Sequence, residues 1–180
     1  LDFLRWGLIP PWAKDASIGS RMINARAETL AEKPSFRQPF RSRRCLVPAD
    51  GFYEWQRLDG GRQPFFLHLQ SGAPFAIAAL WDVWSPPGGE PIESCTLVTV
   101  AANEVVAPLH DRMPALVAPR DYDTWLDPRI GDAGRLSALL GGVPARDLTY
   151  HRVGKAVNSP ANDGPELVDR RARVRVRHEV

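Results

Sequence analysis

MINARAETL, residues 22–30, places polar and apolar side chains at alternate positions. Because a strand has a side-chain period of two, Asn24, Arg26 and Glu28 are predicted to share one face. The opposite face carries apolar side chains, namely Ile23, Ala25 and Ala27. The pattern therefore predicts a strand with one face on a core. Its polar face could be a solvated surface or part of a site, and two further segments favour the site.

The first of these segments is PADGFYEW, residues 48–55, in which Glu54 stands among aromatic residues after the turn-like pair Asp50-Gly51. A carboxylate in such surroundings is expected to be partly desolvated. Desolvation raises the pKa of a carboxyl group, which suits Glu54 to general-acid use.

The second segment is APLHDRMP, residues 107–114, in which His110, Asp111 and Arg112 lie between apolar residues and a closing proline. This arrangement is typical of a loop that follows a short helix. A histidine in such a loop can act as a proton shuttle near neutral pH.

These residues carry a resemblance to a known family. WGLIPPW, INARAET, RCLVPADGFYEW, QPFF and HDRMP follow one another here as they do in the SOS response-associated peptidase family, or SRAP domains. The similarity runs over residues 6–167 and includes the late segment AVNSPANDGPEL. It covers nearly the whole chain, which therefore resembles this family throughout.

The start of the chain departs from the family pattern. Family members begin Met-Cys-Gly-Arg-Phe and use the cysteine that is exposed when the methionine is removed, whereas this chain begins Leu1-Asp2-Phe3. We therefore expect an earlier segment with a Met-Cys start. Cys45 and Cys95 lie in apolar, strand-like runs, so both are predicted to be buried free thiols rather than substitutes for that nucleophile.

The resemblance implies a substrate and a reaction. The substrate would be an abasic site in single-stranded DNA, captured by the N-terminal cysteine as a covalent thiazolidine during the response to DNA damage. Self-directed proteolysis would remove the initiator methionine. Glu54 and His110 match the family positions for an acid and a base, and Asn24 would hold the amine and the captured sugar.

The resemblance also implies five DNA-binding residues. They are Arg26 and Arg112 for phosphates, Trp12 and Trp6 for wedging or stacking on bases, and Thr99 for lining the pocket. Structural alternatives stay open, because Glu54 could pair with an arginine, His110 could cap the preceding helix, and both tryptophans could be core anchors. Glu28 is expected to hold Arg26 or a neighbouring strand. The other tryptophans, Trp55, Trp81, Trp84 and Trp125, are assigned to packing.

Composition and charge are those of one soluble domain, predicted over residues 1–168. We expect a cytoplasmic, nucleoid-associated monomer without cofactor, metal or membrane contact, because the two cysteines lack zinc-ligand spacing and no apolar run could span a bilayer. Residues 1–62 hold 11 basic and 7 acidic residues, whereas residues 63–168 hold 7 and 12, which fits one face turned to a polyanion. The basic tail, residues 169–180, could be an edge strand or a mobile terminus.

Strand-like runs outnumber helical ones. Predicted strands are residues 4–8, 21–27, 45–55, 64–69, 75–84, 96–101 and 148–153, and predicted helices are residues 34–41, 104–109 after an Asn103 cap, 119–126 and 132–140. The pattern favours an α+β fold, a single domain with a mostly antiparallel, partly closed (barrel-like) sheet and a few short helices.

Two other functions stay open beside abasic-site cross-linking. The domain could be a non-covalent reader of damaged or modified DNA that uses the same groove, or a peptidase that acts on other proteins. The sequence argues against the peptidase, because it shows no Ser-His-Asp or internal Cys-His signature.

Overall fold

The computed structural model describes residues 1–171, which form two sheets and a few short helices. The strands are β1 (Arg5–Trp6), β2 (Asn24–Arg26), β3 (Arg44–Ala49), β4 (Phe52–Leu58), β5 (Gly61–Leu69), β6 (Phe75–Trp84), β7 (Ile92–Ala101), β8 (Arg112–Pro114), β9 (Leu116–Val117) and β10 (Leu148–Arg152). The α-helices are α1 (Arg37–Ser42), α2 (Tyr122–Leu126) and α3 (Ala133–Ser137). Short 3-10 helices occupy Ala16–Arg21, Ala27–Thr29, Pro119–Asp121, Ala145–Asp147, Lys155–Asn158 and Pro165–Val168.

Strand β6 is the centre of the larger sheet and is covered on both faces. Ala78 and Leu80 pack into one apolar cluster with Trp125, while Phe75 and Ile77 pack into a second cluster on the other face. A strand buried on both sides must be apolar at nearly every position, and FAIAALWDVW is such a run. The predicted strand 75–84 is confirmed with these bounds.

Pairing in the larger sheet is mostly antiparallel around β6 and β7. Strand β6 pairs with β3 on one side and with β7 on the other, and β8 and β9 pair with β7 and β6. The short strands β1 and β2 lie end to end along β7, parallel to it. The smaller sheet is an antiparallel set in the order β10-β5-β4.

The predicted α+β class with mostly antiparallel sheets and few helices is confirmed. The predicted barrel-like closure is not, because no series of strand pairs within residues 1–171 returns to its starting strand. The sheet stays open because the predicted strand 45–55 is two strands, β3 and β4, that belong to different sheets. The chain crosses between the sheets at Asp50 and Gly51.

Other predicted elements also differ from the structure. The strands predicted at 4–8 and 21–27 are limited to β1 and β2, since Gly7 has φ +113° and Arg21 ends a 3-10 helix. The predicted helix 104–109 is a series of turns, although Asn103 Oδ1 does accept two backbone N–H groups at its start. Pro108 lacks the N–H that a regular helix would use there.

The remaining helices are short, and the tail lies outside the described part. Helix α1 begins later than predicted, and α3 covers the first half of the predicted 132–140 after an Asp132 cap. In residues 1–171 no helix has the length and apolarity needed to cross a bilayer. The predicted basic tail lies outside the described residues from position 172 onward.

Candidate functional site

A cavity of about 410 Å³ gathers six of the eight predicted site residues, which come from β1, β2, β4, β7, β8 and the loop before β8. They are Trp6, Asn24, Glu54, Thr99, His110 and Arg112. Its apolar lining includes Phe52, Ile77, Leu97, Met113 and Pro114. Segments far apart in the sequence therefore meet around one cavity, which is lined by both polar and apolar side chains.

A row of side chains follows β7, and Trp6 and Asn24 of this row line the cavity, whereas Arg26 does not. Trp6 pairs with Cys95, Asn24 with Leu97 and Arg26 with Thr99, so these side chains stand on the same face at two-residue steps of about 6.6 Å. Ala25 points the other way and is buried.

The predicted alternation of residues 22–30 is thus confirmed for the three residues of β2 only. Ile23 is 40% exposed instead of buried, and Glu28 lies in the following 3-10 helix.

Glu54 projects into the cavity from the opposite sheet. Alternation along β4 puts Phe52 and Glu54 on one face and Tyr53 and Trp55 on the other, where the tilted rings of the latter two lie 6.4 Å apart between centroids. The Glu54 side chain is 18% exposed, and burial raises its pKa against the opposing effects of His110 and the Trp55 backbone N–H. No arginine pairs with Glu54 in residues 1–171, so the structural alternative of such a pair is wrong for this part of the chain.

His110 faces Glu54 from the loop before β8. Its Nδ1 lies 4.0 Å from Glu54 Oε1 and 3.2 Å from Asp111 Oδ1, and the Arg112 backbone N–H donates to the same Nδ1 at 3.0 Å. The Arg112 carbonyl oxygen also lies 3.2 Å from Nδ1, so Nδ1 has oxygen acceptors as well as the Arg112 N–H around it, while Nε2 has no partner in the described residues. The ring is 46% exposed and is not a cap of the preceding turns, so the imidazole is open to a ligand in the cavity.

Arg112 is held by the protein itself. Its two terminal nitrogens donate to Glu28 Oε1 and Oε2 at 2.6 and 2.9 Å, and Nη2 also donates to the Thr99 carbonyl at 2.6 Å. The hydrogen bonds from Arg112 are the main cause that lowers the pKa of Glu28. Of the two partners predicted for Glu28, the structure shows the neighbouring strand, β8, which Glu28 holds through Arg112, and not Arg26.

Two predicted DNA-binding residues lie outside the cavity lining. Arg26 is exposed at the end of β2, and Trp12 is 57% exposed in the loop after β1. Trp6 is equally exposed, with its indole N–H on the Ile23 carbonyl at 2.8 Å. The core-anchor alternative is therefore wrong for both tryptophans, while their DNA contacts stay predictions.

Trp55 is a cavity residue that the sequence analysis assigned to packing. It lines the cavity, and its indole N–H donates to Asn158 Oδ1 at 2.7 Å. Asn158 belongs to the AVNSPANDGPEL segment, so this bond ties that late segment to β4. The position beside Glu54 was the available signal. Trp84 and Trp125 are buried, as predicted.

The two cysteines are not poised for chemistry. Both are free thiols, Cys95 buried and Cys45 partly so, and burial raises the pKa of Cys45 to about 12. The pKa of Cys95 is also raised by burial. Within residues 1–171 no three His, Cys, Asp or Glu side chains converge as a metal site would require.

Comparison with known proteins places the chain in a family. Residues 1–160 match the family described as SOS response associated peptidase (SRAP). The abasic site processing protein YoqW of Bacillus subtilis is 49% identical over 170 residues, which cover 94% of this chain and 76% of that protein. The abasic site processing protein HMCES of Gallus gallus is 34% identical, over 92% of this chain and 56% of that protein.

Solved structures agree with the sequence match. The crystal structure of a Bacteroides thetaiotaomicron protein superposes with a TM-score of 0.86 at 28% identity, covering 94% of this chain and 76% of that one. The chain therefore belongs to the SRAP family.

Proposed function

We propose that this protein binds single-stranded DNA and forms a covalent cross-link with abasic sites. The observation that carries the proposal is the convergence of Asn24, Glu54 and His110 on one cavity, in a chain whose relatives are named abasic site processing proteins. The nucleophile would be the N-terminal cysteine expected upstream of Leu1. Self-directed removal of the initiator methionine would expose it.

The proposed reaction needs no oxidant or metal. The neutral α-amine, whose ordinary pKa is about 8, attacks the aldehyde of the ring-opened deoxyribose, and loss of one water gives an imine. The neighbouring thiol then adds to the imine carbon and its proton passes to nitrogen, which closes a thiazolidine. The product shields the lesion from strand cleavage.

Each step moves a proton, and the cavity offers groups for that task. Glu54 is suited to donate a proton, because burial raises its pKa and keeps more of the carboxyl protonated. His110, across the cavity, can accept and return protons through the nitrogen that Arg112 does not occupy. The Asn24 amide would hold the amine and the sugar.

DNA would reach the cavity along the β7 row. Trp6 and Arg26 stand on either side of Asn24, about 6.6 Å apart per step, which suits an aromatic contact to a base and a guanidinium contact to a phosphate. Thr99, which pairs with Arg26 across β7 and β2, lines the cavity. Trp12 would meet bases farther from the lesion. The role requires access to the chromosome, in keeping with the predicted cytoplasmic, nucleoid-associated location.

A cross-linking assay tests the proposal. Full-length protein is incubated with an oligonucleotide that bears one abasic site, and a heat-stable band shift is expected on a denaturing gel. Glu54→Gln should slow the shift while binding to the intact strand stays unchanged. A non-covalent reader would bind without any stable shift, and a peptidase would cleave casein instead. Either of those results, without a cross-link, would refute the proposal.

A further inference from the structure

Two arginines stand directly opposite each other at the end of the β4–β5 hairpin. Arg57 pairs with Arg62, close to the turn at Asp59-Gly60 that joins the two strands. Residues directly opposite in antiparallel strands have Cβ atoms about 4.5–5.5 Å apart, and like charges at that spacing destabilise a sheet. In the free protein this pair therefore weakens the hairpin that it belongs to.

Neither guanidinium is neutralised by the described part of the chain. Arg57 and Arg62 are both exposed, and neither forms an ion pair with a carboxylate of residues 1–171. The surrounding run QRLDGGRQ, residues 56–63, has a single acidic residue, Asp59, against these two arginines. A phosphate can accept hydrogen bonds from both guanidinium groups, and its charge offsets their repulsion. The pair is therefore suited to an anion that comes from outside the protein.

The arginine pair lies beyond the cavity along β4. Alternation puts Arg57 on the same face as Trp55, which lines the cavity, and about 6.6 Å farther along the strand. Arg62 shares that face because it pairs with Arg57. From Glu54 to Arg57 the strand advances about 10 Å. Since a stacked DNA strand rises about 3.4 Å per nucleotide, the arginines are level with a phosphate about three nucleotides from a sugar held at Glu54.

We infer that Arg57 and Arg62 together form a phosphate-binding site for the DNA strand that leaves the cavity, about three nucleotides from the abasic sugar. This site adds to the two arginines predicted to contact phosphates, Arg26 and Arg112. The inference rests on the proposed function, since it extends the path of the same substrate. A bound phosphate replaces the repulsion within the pair by attraction, so the feature that weakens the free hairpin strengthens binding.

The salt dependence of DNA binding tests the inference. Full-length protein is titrated into an intact, fluorescently labelled single strand, and anisotropy gives the affinity at 50 and 200 mM salt. Each phosphate contact to a single strand adds about 0.7 to the slope of log affinity against log salt. The double variant Arg57→Thr, Arg62→Thr loses two contacts, so its affinity should fall about sevenfold less between these concentrations than that of the wild type. An unchanged slope would overturn the inference.

The matched control removes two arginines from the far end of the smaller sheet. Arg120 and Arg146 are 77% and 85% exposed and line a separate cavity beside Leu69, the last residue of β5. That end of β5 is about 27 Å from the hairpin turn, well beyond the screening length of about 10 Å at 0.1 M salt. The double variant Arg120→Thr, Arg146→Thr should therefore keep the wild-type slope. A slope lowered as much as in the hairpin variant would show that net charge alone is responsible, and the inference would fail.

A charge reversal separates loss of a phosphate contact from loss of the fold. Arg62→Glu places opposite charges at paired positions, which stabilises a sheet. Its midpoint in urea should be at least that of the wild type, while its affinity for the single strand at 50 mM salt should fall below that of Arg62→Thr. A lower midpoint would contradict the repulsion from which the inference starts. Wild-type affinity in both variants would contradict the phosphate contact.

Oligonucleotide length locates the site. The strands carry a tetrahydrofuran abasic analogue, which has no aldehyde and cannot cross-link, with a long flank on one side and only two nucleotides on the other, in both orientations. The difference in affinity between wild type and the Arg57→Thr, Arg62→Thr variant should persist in one orientation and vanish in the other. Equal differences in both orientations would refute a defined phosphate site.

The phosphate site and the proposed function can fail separately. If the wild type forms no cross-link with a true abasic site, the proposed function fails, while the salt slopes and the dependence on flank orientation still decide the role of the arginine pair. If the wild type cross-links and the Arg57→Thr, Arg62→Thr variant binds DNA with the wild-type affinity and slope, the inference alone fails.

Discussion

Gly51 stands where the chain passes from the larger sheet to the smaller one, and alanine at this position should destabilise the fold. A Cβ built on Gly51 lies 2.5 Å from the Leu67 carbonyl oxygen and 2.5 Å from Cε2 of Phe66. Both distances are about 1 Å shorter than an ordinary contact between such atoms. The Phe66 ring or the backbone of β5 must therefore move.

Neither movement is easy. The Phe66 ring packs against Tyr53 at 5.3 Å, His68 at 5.6 Å and His151 at 5.8 Å between centroids, and the Leu67 carbonyl belongs to the pairing of β4 with β5. Overpacking of this kind costs about 1–3 kcal/mol, and the backbone clash places Gly51→Ala near the upper end. The lower entropy of the unfolded alanine chain returns about 0.4–1 kcal/mol, so the expected net loss is about 1–2 kcal/mol.

Urea unfolding followed by tryptophan fluorescence measures this loss. With a slope of about 2 kcal/mol per molar urea, the midpoint should fall by about 0.5–1 M. Gly131→Ala is the matched control, because its Cβ would meet no atom closer than 4.0 Å, and its midpoint should stay within about 0.25 M of the wild type. A Gly51→Ala midpoint as close as that would show that the aromatic cluster around Phe66 yields freely, and the argument from the clash would be wrong.

Three further predictions concern charged side chains. Arg44→Met should lower the free energy of unfolding in urea by about 3–5 kcal/mol, because the buried guanidinium donates to the carbonyls of Phe40, Arg41, Trp125 and Asp127. The exposed control Arg41→Met should lower it by less than about 0.5 kcal/mol. Equal losses in the two variants would contradict this prediction. Glu54→Gln should stabilise the fold at pH 8, since burial raises the pKa of Glu54 and its ionised form opposes folding. The gain in the free energy of unfolding should shrink as the pH falls toward 4.5. A variant that is less stable than the wild type at pH 8 would refute this prediction. Glu28→Gln should destabilise the fold at pH 8, because the hydrogen bonds from Arg112 lower the pKa of Glu28 and so stabilise its ionised form. The expected loss is about 1 kcal/mol, since the ion pair is partly exposed. The unfolding midpoints of variant and wild type should converge as the pH falls below 4.5.

The sequence predicted the parts of the site that depend on local pattern. The alternation of Asn24, Ala25 and Arg26 needs only the period of a strand, and β2 places the two polar side chains on the cavity side as that period requires. The burial of Glu54 followed from its aromatic neighbours in β4. The meeting of these residues with His110 was expected from the family resemblance, because no local pattern contains a contact between positions 54 and 110.

What the sequence did not predict depends on contacts between distant segments. The break of run 45–55 into β3 and β4 follows from pairing with β6 and β5, which residues 45–55 alone do not reveal. In the sequence Arg44 is one of several arginines around α1. Half of the carbonyls that hold its buried guanidinium lie in α2 and at its C-terminal end, about 80 positions away, and these contacts could not be predicted from local pattern. Glu28 was placed on a strand face, yet the 3-10 turn after β2 lets it reach Arg112.

The cavity lies where two strands of the larger sheet, β6 and β7, stop pairing with each other. Strands β6 and β7 pair as far as Ala79 and Leu97 and then separate, and residues 112–117 enter between them: Ala115 N–H donates to the Val98 carbonyl at 2.9 Å, and Ala78 N–H donates to the Ala115 carbonyl at 2.8 Å. Three residues at the point of separation line the cavity, namely Ile77, Leu97 and Met113. The segment that follows His110 therefore separates β6 from β7 at this end of the sheet. Ala115 is fully buried in the apolar cluster that also holds Ala78 and Val98, so a larger side chain there would displace this segment. The position of His110 therefore depends on the core of the sheet as well as on its polar neighbours.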